Sequence, residues 1–162
     1  MIYVTLGTQA CDFSRCLRMI EELVNKCNIT ERIIAQTGYT KYTSKYIECF
    51  DFVPEDKYQE YIESADVVIT HAGTGALFSA INKGKKVIAV ARLSSYGEMI
   101  NDHQIEIVRK LSEEGYILDG TYSLSEAWDK LPDFNPREND FKCDLPLQIG
   151  LVLEQWGIKK SL

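Results

Sequence analysis

The sequence lacks the features that would place the protein inside a membrane, in an oxidising compartment or on nucleic acid. No apolar run in the 162 residues approaches the roughly 18 that a membrane-spanning helix needs, and no signal peptide is visible. The five cysteines are odd in number and form no CxxC pair, which is typical of a reduced, cytosolic protein. A net charge of −6 argues against a broad nucleic-acid surface. We therefore expect any membrane contact to be peripheral or made through another protein.

Two common nucleotide-binding signatures are also missing. The chain contains neither the GxGxxG pattern of dinucleotide-binding folds nor the GxxxxGK[ST] pattern of P-loop enzymes, so NAD binding and ATP hydrolysis by those routes are disfavoured. Histidine is scarce, and both histidines, His71 and His103, fall in predicted strand-to-helix loops. A small anion site made from backbone N–H groups stays open, because it needs no net positive charge.

Short apolar segments alternate with amphipathic ones along almost the whole chain. The apolar segments predict strands within residues 1–6, 33–35, 46–53, 67–69, 87–91 and 116–118. Between them, apolar residues recur at helical spacing. The alternation predicts a single α/β domain over residues 1–162, with one Rossmann-like parallel sheet and helices on both faces. Within this domain, residues 121–162 are expected to form C-terminal helices that pack on the sheet or on a partner.

Three loops with the most chemistry follow predicted strands, at residues 7–9, 71–75 and 92–104. In open parallel sheets, ligands bind beyond the carboxyl ends of the strands, at the point where the strand order reverses. We therefore expect the binding site to be built from these loops.

The sharpest signal is the segment His71-Ala72-Gly73-Thr74-Gly75, which joins a buried strand to the start of a helix. Glycine lets a ligand approach the backbone, and the first turn of a helix offers free N–H groups. The segment is therefore interpreted as a diphosphate cradle to which Thr74 also donates. The alternative is an ordinary helix start with a buried, satisfied histidine. His71 itself can bind phosphate, act as an acid or base, or only pack.

The other two loops each admit a functional and a plain structural interpretation. The loop at 7–9 can approach a phosphate or hydrogen-bond a sugar, or it can be a tight turn that only reverses the chain. Asp102 and Gln104 offer donors and acceptors that suit sugar hydroxyls. The alternative for residues 101–104 is a helix cap followed by polar surface.

Three segments together resemble one known family: Val4-Thr5-Leu6-Gly7-Thr8, the run from Ser64 through Gly75, and Asp102-His103-Gln104. The family is the C-terminal domain of glycosyltransferase family 28, the nucleotide-sugar half of the two-domain GT-B fold, and the resemblance covers roughly residues 1–120. Stand-alone members are the most similar in kind. They include the cytosolic catalytic subunit of the eukaryotic two-subunit N-acetylglucosaminyltransferase for dolichol-linked chitobiose, and short bacterial subunits of capsular and exopolysaccharide glycosyltransferases. Residues 121–162 match only in length and helical character.

The resemblance implies a role for each matching position. The implied substrate-binding residues are Gly7, Thr8 and Gln9 near the donor phosphates, the backbone of Phe52 and Val53 at the uracil ring, Gly73, Thr74 and Gly75 at the diphosphate, and Asp102, His103 and Gln104 at the donor sugar. Some relatives carry a glutamate that grips the ribose where this chain has Ser79. Ribose recognition is therefore expected to be weaker or made differently, and a strict preference for UDP is less secure. His71 is the one local candidate for a catalytic residue, with a partner chain as the other source of the base.

A complete enzyme of this fold has a second domain for the acceptor. By analogy we expect a separate membrane-associated subunit that carries the acceptor half and a lipid-linked saccharide. A C-terminal segment with Leu147, Ile149, Val152, Leu153 and Trp156 is the candidate docking helix. Alternatively it covers this domain's own sheet, since an amphipathic face looks the same in either case. In isolation the chain is expected to be a monomer or a homodimer.

The resulting hypothesis is a UDP-sugar-dependent, inverting glycosyltransferase subunit that transfers a hexose to a lipid-linked acceptor in capsule or exopolysaccharide biosynthesis. Helix-terminal N–H groups would stabilise the leaving UDP. The predicted site lacks a paired-acidic DxD element, so neither a metal nor a further cofactor is expected. The expected location is the cytoplasm, with peripheral recruitment to the inner face of the membrane. One alternative is a non-catalytic nucleotide-sugar-binding or regulatory module that needs a partner, and another is a nucleotide-sugar epimerase or hydrolase.

Overall fold

The computed structural model describes residues 1–139. Within them, strands and helices alternate, and a short 3-10 turn at Ser94–Tyr96 interrupts the loop before the fourth helix. The elements are β1 (Ile2–Thr5), α1 (Ser14–Cys27), β2 (Ile33–Gln36), β3 (Ile47–Phe50), α2 (Glu55–Ser64), β4 (Val67–Thr70), α3 (Thr74–Ile81), β5 (Lys86–Ala89), α4 (His103–Glu113), β6 (Leu118–Asp119) and α5 (Leu124–Lys130).

The strands form one open sheet in the order β3-β2-β1-β4-β5-β6, and all neighbours run parallel. The chain builds outward from β1 to β3, returns to the middle for β4, and then builds outward to β6. The strand order therefore reverses between β1 and β4, where Ile2 pairs with Val67 and Thr5 with Thr70. This architecture confirms the predicted fold class, and it places the switch point at the ends of β1 and β4.

Helices cover both faces of the sheet, and each face has its own apolar core. Side chains alternate between the faces along a strand, so Val4 of β1 packs with Leu17 on the face covered by α1 and α5. Its neighbour Tyr3 packs with Leu77 and Val108 on the opposite face, under α2, α3 and α4. This two-sided burial explains why the central strands β1 and β4 are apolar up to their last residue.

Element bounds differ from the predicted ones by a few residues. The last strand begins at Leu118 and not at Tyr116, because Tyr116 belongs to the turn that ends α4. There the N–H of Tyr116 donates to the Leu111 carbonyl at 3.0 Å, and Gly115 adopts a left-handed φ of +79°. The expected capping of α5 is confirmed, since the Ser123 hydroxyl accepts from the Glu126 N–H at 3.3 Å.

One expectation falls on the remainder of the chain. The candidate docking segment with Leu147, Ile149, Val152, Leu153 and Trp156 lies outside the described residues, and so does Cys143. Of the helices between residues 1 and 139, none combines the length and apolar character needed to cross a membrane.

Candidate functional site

The loops that follow β1, β3 and β4 enclose a cavity of about 400 Å³ at the carboxyl edge of the sheet. Its volume lies in the range of small-molecule sites, and it sits at the switch point, where this class of sheet binds ligands. We call it the edge cavity. Eight of the predicted site residues line it: Gly7, Thr8, Phe52, Val53, His71, Gly73, Thr74 and Gly75.

A larger concavity of about 780 Å³ lies at the opposite, amino edge of the sheet. Its walls include Cys27, Ala65 and Leu131, which stand at the C-terminal ends of α1, α2 and α5. Helix C-termini carry partial negative charge and free carbonyl groups, which repel an anion. Two lysines also line this concavity, but Lys85 already donates to the Glu63 carbonyl and Lys86 to the Leu131 carbonyl. The edge cavity is therefore the better candidate for a phosphate-bearing ligand despite its smaller volume.

His71 forms the floor of the edge cavity. Both its backbone N–H and its ring Nδ1 lie 3.2 Å from the carbonyl oxygen of Thr5, and the residue is 8% exposed. A Cβ atom built on Gly7 would fall 2.4 Å from the ring Nε2, and one built on Gly73 would fall 2.2 Å from it. The Nε2 edge of the ring therefore fills the space between two loops, and this explains why both positions are glycine.

The imidazole of His71 is neutral. Burial and, next, the nearby Arg92 guanidinium lower the pKa of His71 to about 4, although the bond to Thr5 acts in the opposite direction. A carbonyl oxygen only accepts, so Nδ1 carries the proton and donates to Thr5. Nε2 is then unprotonated, and it presents an acceptor rather than a positive charge to the cavity. In the unliganded chain His71 therefore presents no positive charge to the cavity near neutral pH.

Stability is expected to fall in mild acid because of His71. Its pKa is about 4 in the folded chain and about 6.5 when unfolded, so the unfolded state binds more protons between these values. The contribution is fully present above pH 6.5 and is lost as the pH falls toward 4, with about 2 kcal/mol lost by pH 5. Urea unfolding across pH 5–8 measures it. His71→Asn, whose amide can still donate to Thr5, should show a smaller pH dependence, and identical slopes would contradict the assignment.

Helix α3 begins at the cavity with free N–H groups. Gly73 is its N-cap in extended conformation, with no side-chain cap and no acidic residue in the first turn. The helical bonding starts with the Leu77 N–H donating to the Gly73 carbonyl at 2.9 Å, so the N–H groups of Thr74, Gly75 and Ala76 have no intrahelical acceptor. Together with the positive end of the helix dipole, they make a place for an anion.

The turn that leads into α3 is held in a strained shape. Ala72 has a left-handed φ of +64° and is fully buried. This conformation costs about 1–2 kcal/mol for a residue with a Cβ. Strain that the surrounding structure imposes on a single turn is characteristic of ligand-binding sites.

The wall opposite α3 is made by the residues after β3. The Val53 N–H donates to the side-chain oxygen of the buried Gln36 at 3.4 Å. The rings of Phe52 and Tyr39 pack edge to face, with their centroids 5.4 Å apart, and both residues are about half exposed. The Phe52–Val53 backbone thus borders the cavity beside an exposed aromatic pair.

Five further residues line the cavity without having been predicted: Thr5, Gln36, Glu55, Tyr58 and Ala76. Thr5 and Gln36 share a recognisable signal, because each is a polar residue that ends an otherwise apolar, fully buried strand. Glu55 and Tyr58 lie on α2, and their position depends on how that helix packs. No local sequence pattern indicates it.

The structure places the remaining predicted residues outside the edge cavity. Both carboxylate oxygens of Asp102 accept from Ser94, at 2.8 Å from its N–H and 2.9 Å from its hydroxyl, and these bonds lower the pKa of Asp102. The alternative was a cap of α4 by Asn101 or Asp102: the Asp102 side chain makes no cap hydrogen bond, and the Asn101 side-chain oxygen accepts from the His103 N–H at 3.4 Å. His103 is exposed at the start of α4. Ser79 faces α2, where its hydroxyl and the Gln59 amide are hydrogen-bonded at 3.1 Å.

Gln9 and Gln104 both bond to one buried residue, Arg92. The oxygen of the Gln9 amide accepts from the Arg92 Nη1 at 3.0 Å, and that of Gln104 accepts from the Arg92 backbone N–H at 2.9 Å. Arg92 was predicted only as the first residue of a loop. A buried arginine is rare, but nothing in the sequence around it predicts its burial.

Comparison with known proteins points to one family. The model of the glycosyltransferase family 28 C-terminal domain matches residues 1–141. The chain is 28% identical over 123 residues to the human UDP-N-acetylglucosamine transferase subunit ALG13, covering 72% of this chain and 10% of the human protein. It is 27% identical over 89 residues to the Candida albicans subunit of the same name, covering 55% of this chain and 28% of that protein. The chain thus corresponds to a minor part of each relative's length.

Solved structures share the fold. The solution NMR structure of ALG13 superposes with a TM-score of 0.64 at 18% identity, and the match covers 96% of both chains. The calicheamicin glycosyltransferase CalG4 superposes with a TM-score of 0.60 at 16% identity, covering 96% of this chain and 42% of that enzyme. These likenesses establish the architecture of a GT-B C-terminal domain. Because the family model spans nearly the whole chain, the protein belongs to the glycosyltransferase family 28 C-terminal domain family.

Proposed function

We propose that this chain is the donor-binding subunit of a UDP-sugar-dependent glycosyltransferase. The observation that carries the proposal is the edge cavity, which brings the glycine turn at 71–75, the loop at Gly7 and Thr8, and the backbone of Phe52 and Val53 to one place. Membership of a glycosyltransferase family supports sugar transfer as the reaction. A relative named as a UDP-N-acetylglucosamine transferase subunit supports a UDP-sugar as the donor.

In this proposal the donor diphosphate lies at the start of α3. The free N–H groups of Thr74, Gly75 and Ala76, with the Thr74 hydroxyl, hold the phosphates and stabilise the negative charge that develops on the leaving UDP. The backbone at Phe52 and Val53 holds the uracil ring. Fixed N–H donors take the part that a metal ion plays in other glycosyltransferases, so we propose that transfer needs no metal and no additional cofactor.

His71 contributes a hydrogen-bond acceptor to the reaction centre. With a pKa of about 4, His71 is too weak a base to remove a proton efficiently near pH 7. Its Nε2 can still accept a hydrogen bond from a hydroxyl of the sugar donor or of the acceptor substrate. We place the base that deprotonates the attacking hydroxyl on the partner chain. Direct attack on the anomeric carbon by that hydroxyl inverts its configuration.

The partner is a membrane-associated subunit that carries the acceptor half. The hypothesis is that it presents a lipid-linked saccharide, that a hexose is transferred in capsule or exopolysaccharide synthesis, and that the complex forms on the cytoplasmic face of the membrane. Relatives that are named as transferase subunits support the need for a partner. In the absence of that partner, the chain would be a monomer or a homodimer.

The low pKa of His71 favours a second candidate function. A domain whose cavity histidine is a weak base suits binding without transfer. On this alternative the chain is a nucleotide-sugar-binding or regulatory module. Transfer of labelled sugar to lipid by the co-expressed partner complex separates the two functions. Repeating the assay with EDTA tests the separate proposal that transfer needs no metal. Transfer lost on Thr74→Ala supports the first, whereas unaltered transfer supports the second.

Calorimetric titration tests the donor site directly. The purified chain is titrated with UDP, UDP-glucose, UDP-galactose, UDP-glucuronate and UDP-N-acetylglucosamine. Thr74→Ala removes a hydrogen bond to a charged phosphate and should weaken binding about tenfold. Thr30→Ala, an exposed threonine in the loop between α1 and β2, is the matched control and should bind as the wild type does. Equal loss in both variants, or binding that is insensitive to Thr74, would contradict the placement of the diphosphate.

A further inference from the structure

We infer that Arg92 is a positioning residue of the donor site: its guanidinium fixes the Leu6–Gly7 peptide so that the Gly7 N–H is presented to the edge cavity. The consequence for nucleotide binding rests on the proposed function, whereas the effect on the loop does not. Three observations carry the inference: the burial of Arg92, the bonds it makes, and the geometry of a trans peptide.

Arg92 is buried with incomplete hydrogen bonding. It is 2% exposed, and its Nε has no hydrogen-bond partner within residues 1–139. Its ring neighbour is Phe13, whose centroid lies 5.4 Å from the guanidinium carbon. Burying a cation with an unpaired donor is costly, and an apolar side chain of similar size fills such a space at less cost. The charge is therefore to be explained by the contacts it makes.

Among the described residues, no direct ion pair accounts for the charge: burial lowers the pKa of Arg92, and Glu98 is among the groups that oppose this through space. The nearest buried carboxylate, Glu98, is occupied by other donors: its two oxygens accept from Nε and Nη2 of Arg15, and one also accepts from the Leu93 N–H. No salt bridge joins Arg92 to Glu98 in the part of the chain that the structure describes. The bonds that the Arg92 guanidinium does donate go to the loop after β1.

Those bonds hold the loop at two points. Nη2 donates to the Leu6 carbonyl at 2.5 Å, and Nη1 donates to the Gln9 side chain at 3.0 Å. The two acceptors stand on either side of Gly7 and Thr8, which line the edge cavity. Arg92 itself does not line the cavity, so it acts on the loop and not on the ligand.

The Leu6 bond also sets the direction of the next N–H. In a trans peptide the carbonyl and the following N–H point in opposite directions, and the described residues include no cis peptide. Because the Leu6 carbonyl points at Arg92, the Gly7 N–H points away from it. Within the described residues, no atom accepts a hydrogen bond from the Gly7 N–H. Gly7 also has a left-handed φ of +77°, so the orientation of this peptide needs both the glycine and the arginine.

The charge of Arg92 influences the protonation of His71, which lines the cavity. After burial, it is the second cause of the lowered pKa of His71, whose ring lies against Gly7. The titration of His71 therefore reports on the guanidinium independently of any ligand. Because burial is the larger cause of the lowered His71 pKa, a variant that keeps the charge, Arg92→Lys, is needed to separate the loss of the charge from a change in packing.

Arg92→Met, Arg92→Lys and the control Arg109→Met test the inference. Arg109 is an exposed α4 residue paired with Glu113, and its replacement should change nothing measured here. Arg92→Met should shift the Gly7 amide resonance, raise the His71 pKa seen by NMR, and weaken UDP binding about tenfold or more. Arg92→Lys keeps the charge but has no fork to reach both acceptors. It should leave the His71 pKa low, yet still shift Gly7 and weaken UDP binding.

The outcomes separate the two levels of the proposal. If the wild type binds no UDP but the Gly7 and His71 signals respond to Arg92→Met as expected, the proposed function fails and the positioning role stands. If Arg92→Met folds, keeps the Gly7 resonance and binds UDP like the wild type, the inference is overturned. Should Arg92→Met not fold, Arg92→Lys decides: an unchanged Gly7 resonance with unchanged UDP binding overturns the inference.

Discussion

Replacing Gly73 with alanine is expected to lower the affinity for UDP by about a hundredfold or more, because displacing the turn weakens several hydrogen bonds to the charged diphosphate at once. The backbone of Gly73 tolerates alanine, since its φ of −68° is ordinary. The new Cβ would lie 2.2 Å from His71 Nε2 and 2.8 Å from Cε1. The ring cannot retreat, because it is buried and bonded to Thr5. The turn must therefore move, and the first N–H groups of α3 move with it.

Gly75→Ala is the matched control for stability. It lies in the first turn of the same helix, and a Cβ there meets no atom within 4 Å. Alanine should raise the free energy of unfolding by about 0.5–1 kcal/mol through helix propensity, whereas Gly73→Ala should lower it. Urea unfolding measures both variants, and calorimetry with UDP measures binding in Gly73→Ala.

The collision with His71 can be tested as the cause. In the double variant Gly73→Ala/His71→Ala the ring is gone, so the turn regains its room and part of the UDP affinity should return. If the double variant binds no better than Gly73→Ala, the loss has another origin. If Gly73→Ala binds UDP as the wild type does, this turn is not the diphosphate cradle.

The sheet could be predicted because its strands satisfy a strong physical constraint. Residues of β1 and β4 are buried on both faces, so the sequence there is apolar at every position except the last. Such segments, alternating with amphipathic helices, leave few architectures other than a covered parallel sheet. Two walls of the edge cavity followed from the same constraint, since Gly7 and His71 lie just beyond strand ends, whereas Phe52 was implied only by the family resemblance.

The loop after β5 could not be predicted in the same way. Its conformation depends on Arg15, which donates to the Ala91 carbonyl and to Glu98 across 76 and 83 positions of the sequence. Asp102 shows the effect: it stands where a helix cap is expected, but Ser94 offers it both an N–H and a hydroxyl. The two hydrogen bonds from Ser94 therefore outweigh the single one that Asp102 would accept as a helix cap. Long-range bonds of this kind leave no local pattern in a sequence.

Removing the carboxylate of Glu98 is expected to be the most destabilising of the changes considered, at about 3–5 kcal/mol for Glu98→Ala. Glu98 is 4% exposed. Its Oε1 accepts from Arg15 Nε at 2.9 Å, and its Oε2 accepts from Arg15 Nη2 at 3.0 Å and from the Leu93 N–H at 2.9 Å. Without it, Arg15 and the nearby Arg92 are two largely buried cations with no counter-charge.

The exposed pair Arg32–Glu48 is the control that shows how much of the loss depends on burial. It has the same two-bond geometry, at 2.8 and 2.6 Å, but its side chains are 60% and 59% exposed. Water compensates an exposed pair, so Glu48→Ala should lower the free energy of unfolding far less than Glu98→Ala does. Urea unfolding at pH 7 measures both variants. Arg15→Met/Glu98→Leu removes both charges and should be less destabilised than Glu98→Ala, because the penalty arises from the unpaired arginine. If Glu98→Ala loses no more than Glu48→Ala, the buried pair does not hold the loop after β5.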